Sequence, residues 1–405
     1  MRVLVLNCGS SSVKYKLFNM EEKTISMHGT IERIGMASSR IKHKVMEQKE
    51  FTIEQTIPDH QKAVESILQL LTHSEFGALH PEQKIHAVGH RVVHGGEYFH
   101  QPVLVKDDVI EKLERCSEMA PLHNPPNVMG IKICRNLMPG VIQTAVFDTA
   151  FHQTMPDYAY TYALPYKYYK KYRTRKYGFH GTSHKYVSNR AAEIIGADIN
   201  DLNILTCHLG NGSSLCAVRK GKSIDTTMGF TPMAGVAMGT RCGNLDPAII
   251  PFLAEKEKMD WHQITDLLNK QSGVLGVSGL SSDFRDLEKA AGQGHHRSRL
   301  ALDVFIYSVI KEIGALTAAM DGLDVLVFTA GIGENSPEIR QRVCSGLSYM
   351  GVELDQDRNN IRGIERIISM DQSKVKVLVV PTDEELMIAK ETTKLYERSL
   401  SHKSA

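Results

Sequence analysis

Four hundred and five residues are more than one ordinary core holds, so two domains are expected, with three as the upper bound. The chain is 42% hydrophobic and 23% charged, which excludes a disordered or fibrous protein. Lysine plus arginine number 48 against 46 acidic residues, a net charge of +2, so nothing points to nucleic acid or an acidic membrane surface as the main partner.

No apolar run approaches the roughly 18 residues needed to cross a bilayer. The opening Val3-Leu4-Val5-Leu6 is too short for a signal-peptide core. Seven cysteines, at 8, 116, 134, 207, 216, 242 and 344, are odd in number, and none stands in a Cys-x-x-Cys pair. They argue against a disulfide framework or a zinc site and for a reducing, cytoplasmic location.

Short β-branched runs alternate with longer amphipathic ones, the pattern of an α/β fold. Residues 2–6 read as a buried strand. A Gly-Ser turn follows, and 13–17 alternate as a half-exposed strand, so the chain opens on a hairpin. Residues 61–71 have helical spacing, and 85–93 and 143–147 read as strands. Residues 203–206 form another strand candidate, followed by a Gly/Ser turn at 210–214 and a strand at 215–218. Strand, Gly/Ser turn, strand therefore opens each half of the chain. That hints at a duplicated architecture with a boundary near residue 150 and both turns in an interdomain cleft. Residues 299–320 place Leu302, Ile306, Val309, Ile310, Ile313 and Leu316 on one wide apolar helix face. Strands at 324–329 and 374–380 follow, and the polar tail 401–405 is expected to fray.

Several segments combine small residues with chemistry. Asn7-Cys8-Gly9-Ser10-Ser11-Ser12-Val13-Lys14 fits either a hairpin turn with a solvated lysine or an anion cradle of backbone amides, hydroxyls and a following cation. His208-Leu209-Gly210-Asn211-Gly212-Ser213-Ser214 offers the same choice. Thr329-Ala330-Gly331-Ile332-Gly333-Glu334-Asn335-Ser336-Pro337 follows an apolar strand, with Ser336 suited to cap a helix and Pro337 to its first turn. It matches the dinucleotide fingerprint only in part, because Ser336 stands where the third glycine belongs. Gly221-Lys222-Ser223 fails as a Walker A loop, since Cys216 occupies the required glycine position.

Arg91 runs into two glycines, Arg241 lies among small residues, and Arg285 follows Asp283 and Phe284. Each is a candidate anion clamp or an ordinary solvated arginine. Asp148 follows an apolar strand, as a turn residue or a catalytic carboxylate. His180 sits between glycines before a helix, as a satisfied imidazole or a catalytic one. Thr382-x-x-Glu385 reads as a capping box, which would account for the acidic cluster around Glu384.

Taken in order, these segments resemble the acetate kinases, within the acetate and sugar kinase/heat-shock chaperone/actin superfamily. The matching stretches are NCGSSSVKYKL from Asn7, GHRVVHGG from Gly89, APLHNPPN from Ala120, FDTAFH from Phe147 and YGFHGTSH from Tyr177. HLGNGSS from His208, GFTPMAGVAMGTRCG from Gly229, SGLSSDFRDL from Ser278, FTAGIGENSPEIR from Phe328 and PTDEELMIA from Pro381 complete the series. Each is moderately specific alone, whereas ten in order along nearly the whole chain are very specific.

The resemblance implies an α/β fold of two duplicated ribonuclease H-like (actin-like ATPase) domains with mixed five-stranded sheets around an interdomain cleft. The first would span 1–150 plus about 386–405. The second, 151–385, would carry most of the nucleotide site. A cytoplasmic homodimer that closes on nucleotide is implied, with no nucleic-acid or membrane partner. The implied reaction is magnesium-dependent, reversible phosphoryl transfer from ATP to acetate, giving ADP and acetyl phosphate, with manganese as an alternative metal. Asn7 and Glu384 match the metal site. Lys14, Ser10, Ser12, the run His208, Leu209, Gly210, Asn211 and Gly212, the run Asp283, Phe284 and Arg285, and the run Gly331, Ile332, Gly333, Glu334 and Asn335 match nucleotide contacts. Arg91 matches a substrate-contacting arginine, Asp148 the essential acid, and His180 and Arg241 the transition-state stabilisers. Val93, Leu122, Phe179 and Pro232 match an apolar pocket for the methyl group. Two positions depart from the pattern: Ala234 stands where the family usually has Glu, and Asn244 where it usually has an acidic residue.

The chemistry is that of bringing two anions together. Unit charges about 4 Å apart repel by about 4 kcal/mol at an effective dielectric near 20, and cations along an in-line path offset this. Acetate, with a pKa of about 4, is already ionised at neutral pH and needs no general base. Asp148 is therefore expected to orient a metal-bound water or an arginine, with a phosphorylated intermediate as the alternative to direct transfer. A propionate kinase is the near alternative, and an actin-like or chaperone-like ATPase the distant one.

Overall fold

The apolar run at the start forms strand β1 (Arg2–Cys8), and the Gly9 N–H closes a turn onto the Ser12 carbonyl at 2.8 Å before β2 (Ser12–Asn19) returns antiparallel. The structure, a computed structural model, describes residues 1–46, 50–75, 77–80 and 82–401. The frayed tail expected at 401–405 falls, beyond Ser401, outside the described residues. The chain divides into two compact units, one of Met1–Phe151 with Asp383–Ala405, the other of His152–Thr382.

In the first unit β3 (Thr24–Glu32), β4 (Ser39–Val45) and β5 (Phe51–Gln55) extend the opening hairpin as an antiparallel meander. Strand β6 (Ala87–Val92) lies parallel to β1, β8 (Ile142–Phe147) parallel to β6, and the short β7 (Val103–Leu104) antiparallel on the β8 edge. In the second unit β9 (Asn203–Leu209), β10 (Ser213–Arg219) and β11 (Lys222–Thr226) form the meander. Strands β12 (Val325–Thr329) and β14 (Lys376–Val379) add in parallel, and β13 (Arg366–Ile367) pairs antiparallel with β14.

The sheet orders are β5-β4-β3-β2-β1-β6-β8-β7 and β11-β10-β9-β12-β14-β13. The expected five strands correspond to a shared mixed core, β3-β2-β1-β6-β8 and β11-β10-β9-β12-β14, so the duplication is one of topology. The strand count needs correction, to eight and six. The cause is the hairpin arm β4–β5 and the short edge strands. Each adds backbone pairing on a half-exposed flank, without the apolar run that marks a central strand.

Each sheet is covered by amphipathic helices. Helix His60–Leu71 buries Ala63, Val64, Ile67, Leu70 and Leu71 on the first sheet, and its N-terminus is capped by the Asp59 side chain. Helix Glu384–Ser401 returns to that sheet, where Ile388 and Ala389 pack with Val3, Val5, Phe18 and Val146. Helix His296–Met320 buries Leu302, Phe305, Ile306, Val309, Ile313 and Leu316 in the second core. The expected capping box at Thr382 is not formed. The Asp383 carboxylate accepts the Leu386 N–H at 3.0 Å, while the Thr382 hydroxyl pairs with Ser183 and Glu385 with Lys16. A carboxylate one residue nearer the helix simply reaches the open amide first.

Candidate active site

In the first unit β1, β6 and β8 are neighbouring and parallel, so their carboxyl ends share one sheet edge, where ligands of open α/β sheets bind. Asn7 is the last residue but one of β1, with Lys14 of β2 opposite it in register. Arg91 lies near the end of β6, and Asp148 directly follows β8, its N–H bonded to the Val92 carbonyl at 3.0 Å. The Arg91 guanidinium meets Asp148 at two points, Nε–Oδ1 at 3.1 Å and Nη2–Oδ2 at 2.6 Å. Glu384 lies 4.0 Å from Arg91 Nε. These charges are largely out of water, with Asp148 buried and the Arg91 and Glu384 side chains each 22% exposed. Burial pushes the Glu384 carboxyl up to about 7, helped by Asp148 and Glu385 and opposed by Arg91 and Lys14. Burial would lower Arg91, but Asp148 and Glu384 outweigh it, and the guanidinium is held above its ordinary value.

Two asparagines not singled out from the sequence hold these strand ends. Asn127 accepts the Val93 N–H at 3.1 Å and donates to the Cys8 carbonyl at 2.7 Å. Asn124 accepts the His94 N–H at 3.0 Å and donates to the His94 carbonyl at 2.8 Å. Both lie at the buried start of helix Asn124–Leu137, within the stretch HNPPN. The only signal was an asparagine pair beside two prolines. The turn with Ser10 and Ser12 is pinned by His60, whose ring bonds the Gly9 carbonyl at 2.7 Å; Ser10 and Lys14 are exposed.

In the second unit β9 and β12 are parallel neighbours, and their ends carry His208 to Gly212 and the short helix Ala330–Asn335. A cavity of about 710 Å³ is lined by Asn211, Asp283, Arg285, Gly331, Asn335 and Arg362, among others. Phe284 is mostly buried beneath it, edge-on to Phe305 at 4.6 Å. Arg285 grips Asp283 at two points, 3.0 and 2.5 Å, and holds that carboxyl below its ordinary value. Ala330 adopts φ +64°, a left-handed conformation costly for a residue with a Cβ. Glu334 secures it. One carboxylate oxygen accepts the N–H of Ala330 at 2.7 Å, the N–H of Thr382 at 3.1 Å and the Thr329 hydroxyl at 3.3 Å. At the end of this short helix, wholly buried Arg340 donates to the carbonyls of Gly333, Glu334, Asn359 and Ile361 and to Asn359 Oδ1. No pattern in the sequence marked it.

His180 stands at φ +56° immediately before helix Gly181–Ile195. Its ring stacks on His208 with centroids 4.0 Å apart. A Cβ on Gly212 would lie 3.2 Å from Arg241 Nη1 and 3.6 Å from His180 Cε1, so both side chains crowd this glycine. Arg241 donates to the Pro232 carbonyl at 3.0 Å and has no carboxylate partner among the described residues; burial lowers its pKa. Of the four residues expected to take a methyl group, Val93 and Leu122 belong to the first unit, and Phe179 and Pro232 to the second. Phe179 is 3% exposed and Leu122 72%.

Among the described residues no three His, Cys, Asp or Glu side chains gather as a metal site. Magnesium favours one or two protein oxygens together with substrate phosphates. Asn7 and Glu384 offer such oxygens, and Glu384 is a desolvated carboxylate that a cation would stabilise.

The acetokinase family matches residues 2–390. The chain belongs to that family. The acetate kinase of Thermoanaerobacter pseudethanolicus is 58% identical over 396 residues, covering 98% of this chain and 99% of that protein. The crystal structure of Porphyromonas gingivalis acetate kinase superposes with a TM-score of 0.94 at 48% identity, over 97% of this chain and 99% of that one. A propionate kinase from Francisella tularensis gives 0.90 at 41% identity, over 97% and 99%. The two mixed sheets are those of the family's actin-like fold.

Proposed function

We propose that this chain transfers the γ-phosphoryl group of ATP directly, in line, to acetate, forming acetyl phosphate and ADP, and that it runs the reverse reaction. The observation that carries the reading is the Arg91–Asp148–Glu384 constellation at the carboxyl edge of a family-matched sheet. Arg91 would bind the acetate carboxylate, and Val93, Leu122, Phe179 and Pro232 would take its methyl group. The second unit would hold most of the nucleotide, through His208–Gly212, Asp283–Arg285 and Gly331–Asn335, with Lys14, Ser10 and Ser12 contributing from the first. Asn7 and Glu384 would hold magnesium, or manganese in its place, which supplies charge neutralisation at the phosphoryl oxygens. Arg241, which has no carboxylate partner among the described residues and is largely desolvated, would interact with charge as it develops, and His180 would do so beside it. Asp148 orients Arg91.

Both units are read as actin-like ATPase domains, and the protein as a cytoplasmic homodimer without nucleic-acid or membrane partners. No described helix is long and apolar enough to cross a membrane. Tyr158, Leu164, Tyr166, Ile249, Phe252 and Tyr307, exposed on the second unit, supply apolar surface for a second copy.

The test is incubation with ATP, magnesium, hydroxylamine and acetate, propionate, butyrate or no acid, reading hydroxamate as its iron complex. Most hydroxamate from acetate supports the proposal. The resemblance to a propionate kinase gives the second reading, and a propionate preference would favour it, since one methylene changes discrimination by only about 1–3 kcal/mol. ADP release without hydroxamate would leave an ATPase.

A further inference from the structure

The segment that carries Phe179 and His180 bends through two left-handed residues. Gly178 has φ +75° and His180 φ +56°, a conformation costly for a residue with a Cβ. His180 makes no side-chain capping bond to the helix that it precedes, so the bend is not secured from that side. His152, in the same unit, secures it from another. Its wholly buried ring lies against the backbone of Gly178, where an added Cβ would come within 2.7 Å of His152 Cδ2 and 2.8 Å of its Cγ. His152 Nε2 is 2.9 Å from the Phe179 carbonyl, and Nδ1 is 2.8 Å from Ser223 Oγ. A carbonyl only accepts, so Nε2 carries a proton and donates it. Burial pushes the ring's pKa down to about 4, so at neutral pH this is its one proton, and Nδ1 accepts from the Ser223 hydroxyl. The Ser223 carbonyl in turn accepts the Thr154 hydroxyl at 2.7 Å, two residues along from His152.

We propose that His152 is a positioning residue whose Nε2–H holds the peptide between Phe179 and His180, and so places both the side chain that meets the substrate's methyl group and the imidazole that meets the phosphoryl group. This rests on the reading above that Phe179 and His180 face the reacting molecules. The Phe179 carbonyl and the His180 N–H belong to one rigid plane, so turning that plane changes ψ of Phe179 and φ of His180 together. Tying down the carbonyl keeps His180 at its positive φ and its ring stacked on His208. Without the donor a buried carbonyl is left unpaired, and the plane turns to find another partner, taking His180 toward an ordinary φ. Phe179 and His180 then move as one, because a single peptide joins them. The nucleotide cavity is lined from other segments, by Asn211, Asp283, Arg285, Gly331 and Asn335 among others, and is expected to keep its shape.

The test compares the whole parent protein with His152→Ala, His152→Gln and His180→Ala. Glutamine offers an N–H near the place of the lost Nε2. In His152→Ala, kcat/KM for acetate is expected to fall about tenfold or more, with kcat lowered and the KM for acetate raised, while ADP affinity by calorimetry stays within about twofold of the parent's. His152→Gln is expected to recover most of the loss. A parent-like His152→Ala beside an impaired His180→Ala overturns the positioning role. So does an ADP affinity that weakens in proportion, which marks a general loss of structure. A glutamine protein as impaired as the alanine one overturns the assignment of the donor. Long-range 15N–1H spectra of the parent, with His152 assigned by its absence in His152→Gln, are expected to show Nε2–H, and Nδ1–H overturns the proposal even where His152→Ala folds poorly. Normal turnover in His180→Ala overturns instead the reading that His180 stands at the reaction.

Discussion

Asp148 meets the Nε–Nη2 edge of the Arg91 guanidinium at two points, 3.1 and 2.6 Å, in the geometry by which an arginine holds any carboxylate. Each is therefore the other's partner in a poorly solvated place. Arg91→Ala leaves a buried carboxylate unpaired and is expected to cost about 3 kcal/mol of stability as well as activity. Asp148→Asn in that background should restore most of the stability and none of the turnover. Urea unfolding of the four proteins of the cycle measures the coupling. A parent-like midpoint for Arg91→Ala would show that the pair holds nothing.

Arg241 predicts the opposite split. Among the described residues it pairs with no carboxylate and donates to the Pro232 carbonyl and the Met238 sulfur, so Arg241→Ala should leave stability near the parent's. Its turnover should fall by roughly 2–4 kcal/mol in barrier, the scale of losing one oxyanion donor. Steady-state kinetics beside a melting curve separates the two effects, and normal turnover would remove Arg241 from the mechanism.

Helix Glu384–Ser401 lies so close on β6 that Gly89 has no room for a side chain. A Cβ there would come within 2.5 Å of Thr392 Oγ1 and 2.7 Å of Ile388 Cγ2. Thr392 is itself hydrogen-bonded to Thr144 at 2.6 Å and has little freedom to yield. Gly89→Ala is expected to destabilise by about 1–3 kcal/mol, and Gly89→Ala with Thr392→Ala, which removes the hydroxyl in the way, to recover part of it. Thermal unfolding decides.

Four buried histidines are held neutral by desolvation: His90, His94 and His152 are pushed down to about 4, and His184 well below 6.5. Between pH 4 and 6.5 the unfolded chain binds protons at these sites and the folded one does not. Stability therefore rises with pH across that window and is lost as pH falls through it, by about 1.4 kcal/mol per proton and pH unit. Chemical denaturation from pH 4 to 7 should show this slope, which a His90→Gln variant should reduce. A flat profile would mean that the histidines are protonated in the fold.

Arg340 serves five acceptors without a carboxylate partner among the described residues, and burial lowers its pKa to about 10. Arg340→Met removes the donors and keeps the acceptors buried. The expected result is a loss of about 3 kcal/mol and an ADP affinity weaker by about tenfold or more, as the helix Ala330–Asn335 loses the cation that holds its last carbonyls. Calorimetric titration with ADP reads the second effect; unchanged affinity would confine Arg340 to the fold.

What could be read from residues alone follows how local the cause is. The apolar runs of β1, β9 and β12, the Gly/Ser turns, the long helix face from Leu302 to Leu316 and the Ser336 cap all act within a few residues. The arm β4–β5 escaped because its exposed strands carry Lys42, Lys44, Glu54 and Gln55, polar enough to read as loop. The Asp383 cap escaped because Thr382 offered the better-known motif, and only Ser183, 199 positions away, explains why Thr382 is otherwise engaged. Arg340, Asn124 and Asn127 escaped for the same reason, since what they bond is brought to them by the fold. The candidate site residues were found through motif resemblance, whereas the side chains that hold them were visible only in three dimensions.

The first sheet is made at the start of the chain, but the helix that covers one of its faces comes after the whole of residues 152–382. During synthesis Val3, Val5, Phe18 and Val146 must wait, uncovered, while the intervening unit has everything it needs to close. The order of folding should thus invert the order of translation. A ribosome stalled before residue 383 would display a finished second unit beside an open, adhesive first one, the species on which a chaperone would act.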